Sequence, residues 1–121
     1  MQDYRNLMVW QRARSLSVAV HEATRSIPRG DAPGLRSQVR RAAMSISAAI
    51  AEGAGRDSRK DFARFISMAI GSASEVEHHL TQSDDLGVLD RVIARQLIDR
   101  VVEVRRMLYG LRRTLLAKGD E

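Results

Sequence analysis

Cysteine is absent from this chain of 121 residues, which excludes disulfides, thiolate metal sites and cysteine nucleophiles. Aromatic residues make up only 4% of the sequence, so a core drawn from its 44% hydrophobic residues must be aliphatic and rich in alanine. No apolar run approaches the ~20 residues that a membrane-spanning helix requires, and no apolar signal core follows the first residues. We therefore expect a cytoplasmic protein with no membrane partner.

Proline occurs only at Pro28 and Pro33, and both lie in the segment 26–34, the clearest loop in the chain. On both sides of this loop, apolar residues recur at spacings of three and four, as they do along one face of an amphipathic helix. The pattern leaves no candidate strand. It predicts four helices, at about 5–26, 34–54, 58–85 and 89–117.

The short connections between these segments force consecutive helices to run antiparallel. The expected fold is therefore all-α, an up-down-up-down four-helix bundle in which residues 1–121 form one domain. The second helix is rich in alanine and serine, so neighbouring backbones can approach it closely. We expect Gly53 and Gly55 to end this helix, since glycine readily takes the left-handed cap conformation.

Arginine supplies 18 of the 20 basic residues, and the net charge is +5. The planar guanidinium fork suits phosphates and carboxylates, although GC-rich codon usage also favours arginine. Several arginines recur one or two helical turns apart, which predicts a basic stripe that could follow a phosphate backbone; the alternative is an ordinary solvated face. The candidate nucleic-acid-binding residues are Arg36, Arg40, Arg91, Arg95, Arg105, Arg106, Arg112 and Arg113. No aromatic platform accompanies them, so any binding of RNA or DNA is expected to be directed at the backbone.

A second group of polar residues lies in or beside the apolar stripes of the second and third helices. Buried charges are tolerated only when they are paired, so the pattern favours a structural network that fixes helix register or a subunit interface. The alternative is an anion or catalytic pocket. The candidate members of this network are Arg41, Ser45, Glu52, Ser72 and Glu75.

Metal and catalytic sites find little support in the sequence. Glu75 and His78 have the Glu-x-x-His spacing of di-iron bundles, but such a site needs a second copy of the motif and two more carboxylates. We expect His78 and His79 to lie on a solvated helix face. There is no phosphate-binding glycine loop and no evident pairing of a nucleophile with a base. We therefore expect no metal, cofactor or small-molecule substrate, and no enzymatic activity.

Several stretches together resemble a known family: residues 3–11, 34–46, 50–56, 62–65 and 69–75. Residues 38–56 carry the pattern QxRRAAxSIxxxIAEGxGR. The set resembles the 23S rRNA intervening-sequence proteins, also called the S23 ribosomal protein family. This resemblance implies a four-helix bundle that assembles into a homopentameric ring. It also implies a distant relation to the accessory protein of diversity-generating retroelements, a basic pentamer that works with nucleic acid. One departure is Ala49, where the family commonly has asparagine.

Apolar residues outside the main stripes predict self-association independently of the resemblance. They form a second, partly apolar surface on three helices, which is typical of an interface. Its members are Val9, Val18, Ala19, Met44, Ala48, Ala51, Val102, Met107 and Leu116. The residues alone indicate an oligomer, and the resemblance supplies the number five. The leading interpretation is a non-catalytic, self-assembling scaffold or binding module; the alternative is a backbone-directed RNA- or DNA-binding protein on a pentameric ring.

Overall fold

The computed structural model describes residues 3–30, 32 and 34–117, and this part of the chain is helical with no strand. Two short 3-10 turns, Tyr4–Asn6 and Thr24–Ser26, flank the first helix and complete most of its predicted length. The four α-helices are α1 (Met8–Ala23), α2 (Leu35–Ala54), α3 (Arg59–Asp85) and α4 (Arg91–Ala117). None of them contains an apolar stretch suited to crossing a membrane.

The helices form the predicted up-down-up-down bundle. Along the chain each helix packs against the next, and α1 closes the bundle by packing against α4. The helices α2 and α4 therefore lie at opposite corners. The all-α four-helix fold predicted from the apolar periodicity is confirmed.

The bundle core is aliphatic, as the composition requires. Each helix contributes large side chains that are fully buried, among them Leu16, Ile46, Ile66 and Leu108. The helix α3 is the most extensively packed, with buried residues distributed from Phe62 to Ser83.

The first turn of α4 differs from the predicted stripe. Val92 and Ile93 follow the apolar spacing of this helix, but they are 62% and 39% exposed. The Asp90 side chain caps this helix by accepting a hydrogen bond from the Ile93 N–H at 3.1 Å. A helix that begins there directs Ala94 and Leu97 to the core and turns the preceding two residues outward.

The end of α3 is a Schellman motif. Gly87 takes the left-handed conformation at φ 69°, the Gly87 N–H donates to Asp84 O at 3.0 Å and the Val88 N–H donates to Ser83 O at 3.1 Å. These bonds satisfy carbonyls that a helix end leaves without partners. The turn therefore reverses the chain into α4 with few unpaired backbone groups.

Gly55 ends α2 as predicted, but neither Gly53 nor Gly55 is a left-handed cap, so that part of the prediction was wrong. Among the described residues only Gly34 and Gly87 have positive φ, and Gly55 ends α2 at φ −85°. Gly53 lies inside the helix and is buried. A Cβ added there would stand 2.7 Å from Phe65 Cβ and 2.9 Å from Phe62 Cδ1. The hydrogen atom of Gly53 therefore lets the backbone of α2 approach α3.

Replacing Gly53 with alanine tests this close approach. Alanine improves helix propensity by about 1 kcal/mol, but the added methyl group would overpack the contact with α3 at a cost of about 1–3 kcal/mol. We expect Gly53→Ala to lower the urea midpoint. Gly71→Ala is the matched control, because no atom lies within 4 Å of a Cβ added at Gly71 in α3. The control should stabilise the protein, and equal stabilisation by both changes would contradict the packing role of Gly53.

Candidate nucleic-acid interface

Most of the candidate arginines on α4 are tied to neighbouring side chains. Arg105 pairs with Glu77 at 2.6 Å, and Arg112 donates to Ser67 Oγ at 3.1 Å, so both link α4 to α3. Arg91 pairs with Asp84 at 3.2 Å across the α3–α4 turn. These three side chains hold helices together, which reduces their freedom to contact a partner.

The outward side of α4 carries the more available cations. Arg95 and Arg113 are exposed and have no partner among the described residues. Arg106 is exposed and pairs only with Glu103, one turn earlier on the same helix, at 3.0 Å. Such surface pairs contribute little free energy and are easily exchanged for another anion. The basic stripe therefore shrinks to these three residues, which span roughly 27 Å of α4 at about 1.5 Å per residue.

Arg40 lies on α2 but binds the end of α1, and Arg36 binds the 3-10 turn and the first loop residue that follow α1. Arg40 Nε donates to Thr24 Oγ1 and its Nη2 donates to His21 O, both at 2.9 Å. Arg36 Nη2 donates to the carbonyls of Arg25 and Ile27. The last carbonyls of a helix have no partner within the helix and carry its negative partial charge, so cations are favoured there. The structure thus gives both arginines a capping role.

Arg59 caps a neighbouring helix in the same way at the opposite end of the bundle. It is the first residue of α3, and its guanidinium donates to Thr114 O at 2.9 Å and to Leu115 O at 3.3 Å near the end of α4. Sequence reasoning missed this role, because the acceptors are backbone carbonyls and leave no residue pattern. The only sign of this role in the sequence is the predicted antiparallel packing, which places the start of each helix beside the end of a neighbouring helix.

The start of α2 lies beside a cavity of about 650 Å³ that is lined by arginines. Its described lining contains no carboxylate and no imidazole. We call it the arginine cavity, and it is lined by Arg29, Ala32, Gly34, Arg36, Ser37, Arg40, Arg41 and Met44. The sequence analysis assigned Arg36 and Arg40 to nucleic-acid binding and Arg41 to the polar network. The structure places all three around one cavity, together with Arg29 from the loop.

Like charges crowd together at this cavity. Partial burial lowers the pKa of the Arg40 guanidinium, and the charges of Arg36, Arg25 and Arg29 lower it further, with Glu22 opposing them. The Nε atom of Arg36 is buried and makes no hydrogen bond among the described residues. Arg29 and Arg41 are exposed and have no described partner. The cavity therefore has an excess of positive charge and free donors.

The predicted polar network does not form within one protomer. Glu52 is 60% exposed and pairs with Arg56 at 3.2 Å, whereas Arg41 lies eleven positions away on α2, roughly 16 Å along the helix. Ser45 Oγ donates to the Arg41 carbonyl, a local bond within α2. On α3, Ser72 is half-buried, and the exposed Glu75 contacts His79 on its own helix. The spacing placed these groups on similar faces, but those faces point to solvent rather than to one another.

His79 was predicted to be solvated, and that prediction was wrong. It is only 8% exposed, because α3 is packed along much of its circumference, and its Nε2 lies 3.3 Å from Glu75 Oε2. His78 is exposed, as expected. The described residues contain no group of three or more histidine and acidic side chains that could hold a metal ion.

The fold and surface define an all-α bundle in which several arginines cap and link helices. The chain belongs to the family of 23S rRNA-intervening sequence proteins, whose model matches residues 5–110. Its fold is similar to that of a protein of unknown function from the S23 ribosomal protein family of Bacteroides thetaiotaomicron VPI-5482. The two chains are 19% identical, with a TM-score of 0.78 over 87% of this chain and 98% of the other. The comparison with curated proteins finds no match.

The structure also shows the surroundings of Ala49, the position at which this chain departs from the family pattern. Ala49 is partly buried and packs against the core. Its methyl group therefore adds an apolar contact where an asparagine would place a hydrogen-bonding amide.

Alanine substitutions at Arg40 and at its neighbour Arg41 separate the loss of the capping bonds from the loss of a positive charge. We expect Arg40→Ala to destabilise the protein by about 1 kcal/mol, a small value because Arg40 is only half-buried and water can replace part of its bonding. For a domain of this size the melting temperature should fall by roughly 3–6 °C. Arg41→Ala removes the same charge from the next residue, which has no described partner, and should change stability by less than about 0.5 kcal/mol. Equal effects of the two changes on melting would contradict the capping role.

Proposed function

We propose that this protein is a non-catalytic, self-assembling bundle that forms a homopentameric ring and acts as a scaffold or binding module in the cytoplasm. The family supports the number five through the resemblance described above. The observation that carries self-assembly is the presence of two exposed apolar faces on opposite corners of the bundle. Isolated apolar side chains are normal on a protein surface, but aligned ones are typical of contact sites.

The first face is the outer side of α2, which we call the α2 outer face. It consists of Met44, Ala48 and Ala51, which follow one another at spacings of four and three residues. Met44 is 60% exposed, Ala48 is exposed and Ala51 is half-buried. Two alanines in this row would let a second backbone approach closely.

The second face is the outer side of α4, which we call the α4 outer face. Val102, Tyr109 and Leu116 recur on it every seven residues, as apolar residues do along a helix–helix seam. Tyr109 was not part of the predicted interface. Three other predicted members, Val9, Ala19 and Met107, pack into or against the core of the protomer.

The positions of these faces favour a ring over a two-fold dimer. A two-fold contact uses the same patch on both subunits, whereas a ring joins two different patches head to tail. The α2 and α4 outer faces differ in composition and lie at opposite corners, so one copy could present α2 to the α4 of the next.

The arrangement of polar groups supports a non-catalytic role. The arginine cavity has no general base or acid in its described lining. Binding and assembly, rather than bond chemistry, suit a surface of this kind.

The assembly is tested by light scattering coupled to gel filtration. A pentamer of 13.5 kDa chains should weigh five times that value, 67.5 kDa. Ala48→Glu or Tyr109→Glu places a charge in one of the two faces and should lower the mass while far-UV circular dichroism stays helical. Met68→Glu, at a similarly exposed position on α3, is the control and should leave the mass unchanged. A wild-type mass of 13.5 or 27 kDa at micromolar concentration would refute the ring.

A second candidate function is backbone-directed binding of RNA or DNA. The exposed arginines of α4, Arg95, Arg106 and Arg113, support it. Arg95 precedes Val102 by seven residues, and Arg106 and Arg113 follow Val102 and Tyr109 by four, so these arginines share the α4 outer face and a ring joined through that face would cover them. Backbone-directed binding through these arginines is therefore an alternative to the α2–α4 ring contact, because both use the α4 outer face.

The salt dependence of binding to a mixed rRNA fragment tests this second candidate. Each phosphate contact should contribute roughly 0.7–0.9 to the slope of log affinity against log salt. The triple change Arg95→Ala, Arg106→Ala and Arg113→Ala should therefore reduce the slope by about 2 for each protomer that contacts the RNA. Arg14→Ala, an exposed arginine of α1, is the control. An absence of binding at low salt, or an unchanged slope in the triple variant, would refute the proposal.

A further inference from the structure

The arginine cavity contains more positive charge than the fold uses. Arg36 and Arg40 bind the end of α1 and the turn that follows it, but Arg29 and Arg41 stabilise no described element. Partial burial lowers the pKa of Arg40, and the charges of Arg36, Arg25 and Arg29 lower it further, with Glu22 opposing them. Like charges held close together destabilise the folded chain, so an anion bound among them would stabilise it.

The start of α2 adds to the positive potential at the same place. Its N-cap is Gly34, at φ 83°, which has no side chain to accept a hydrogen bond from the first turn. The first turn also contains no acidic residue. The positive end of the helix dipole is therefore left uncompensated beside the arginines.

From these observations we infer that the arginine cavity is a binding site for a phosphate group, with Arg29 and Arg41 as the ligand-binding arginines and Arg36 and Arg40 as the fixed positive wall. A guanidinium group donates two parallel hydrogen bonds to a phosphate, and the geometry of the fork matches the tetrahedral anion. Arg36 and Arg40 are held in place by carbonyls at the end of α1 and in the turn that follows it, so that wall is formed before the ligand arrives.

The size of the cavity indicates that the phosphate belongs to a larger molecule. A space of about 650 Å³ exceeds the needs of a single inorganic anion, and Ala32 and Met44 give it an apolar side. Two sources share this chemistry: a small phosphorylated compound and the backbone of a nucleic acid. The site does not depend on the α4 arginines, since α2 and α4 lie at opposite corners of the bundle.

Calorimetric titration with inorganic diphosphate at constant ionic strength tests the proposal. We expect one site per chain in the wild-type protein. The double change Arg29→Ala with Arg41→Ala should weaken binding by at least about tenfold, because both charge-assisted donors are removed. Both residues are exposed and unpartnered among the described residues, so this variant should retain its fold. The change Arg95→Ala with Arg113→Ala removes the same charge from α4 and should leave diphosphate affinity unchanged.

Competition with a twelve-nucleotide RNA distinguishes a nucleic-acid backbone from a small phosphorylated compound as the source of the phosphate. If the RNA displaces diphosphate from the wild-type protein, the backbone is the source; if diphosphate binds as tightly in its presence, the source is a small compound. Each result supports the site. No heat of binding, or equal affinity in the wild-type protein and the Arg29–Arg41 double variant, would overturn it. The proposal would also be overturned if the double variant formed a smaller assembly while its diphosphate affinity stayed unchanged. That result would show that a second copy of the chain, rather than a phosphate, fills the cavity.

Discussion

The rotation of α2 against α3 is the constraint on which the rest of the structure depends. Gly53 sets it at one end, because only a hydrogen atom fits against Phe62 and Phe65. With that contact made, the apolar stripe from Leu35 to Ile50 is buried. The same rotation turns Met44 and Ala48 outward and brings the start of α2 to the end of α1. Core packing, helix capping and the exposed face are therefore consequences of one helix orientation.

Arginine is used in this bundle chiefly as a connector. Arg36, Arg40 and Arg59 each bind backbone oxygens at the end of a neighbouring helix, and Arg105 links α3 to α4. A lysine ammonium is a single point charge on a flexible chain, so it could not span two acceptors in the way a planar guanidinium does. This structural demand accounts for part of the arginine excess. Some of the exposed arginines beyond it, among them Arg29, Arg41, Arg95 and Arg113, are those that the proposed binding functions use.

The sequence predicted the fold well, because apolar spacing reports which side of each helix is buried and short loops restrict the topology. It predicted the site less well, since a spacing pattern does not identify the partner of a polar group. Glu52 and Arg41 lie on related faces but pair elsewhere or not at all. His79 is buried because α3 packs against two helices, a property of the bundle rather than of its own neighbours in sequence. The arginine cavity joins a loop residue to α2, and no local motif marks it.

The central claim is that the α2 outer face of one copy meets the α4 outer face of the next. Because the chain lacks cysteine, single thiols can be introduced at Ala48 and Tyr109 without background reaction. Treatment of the double variant with a short bifunctional maleimide should give a covalent ladder that ends at five chains, while each single variant stays monomeric under denaturing conditions. A covalent dimer formed by either single variant would show that the face meets itself, and that result would contradict the head-to-tail ring.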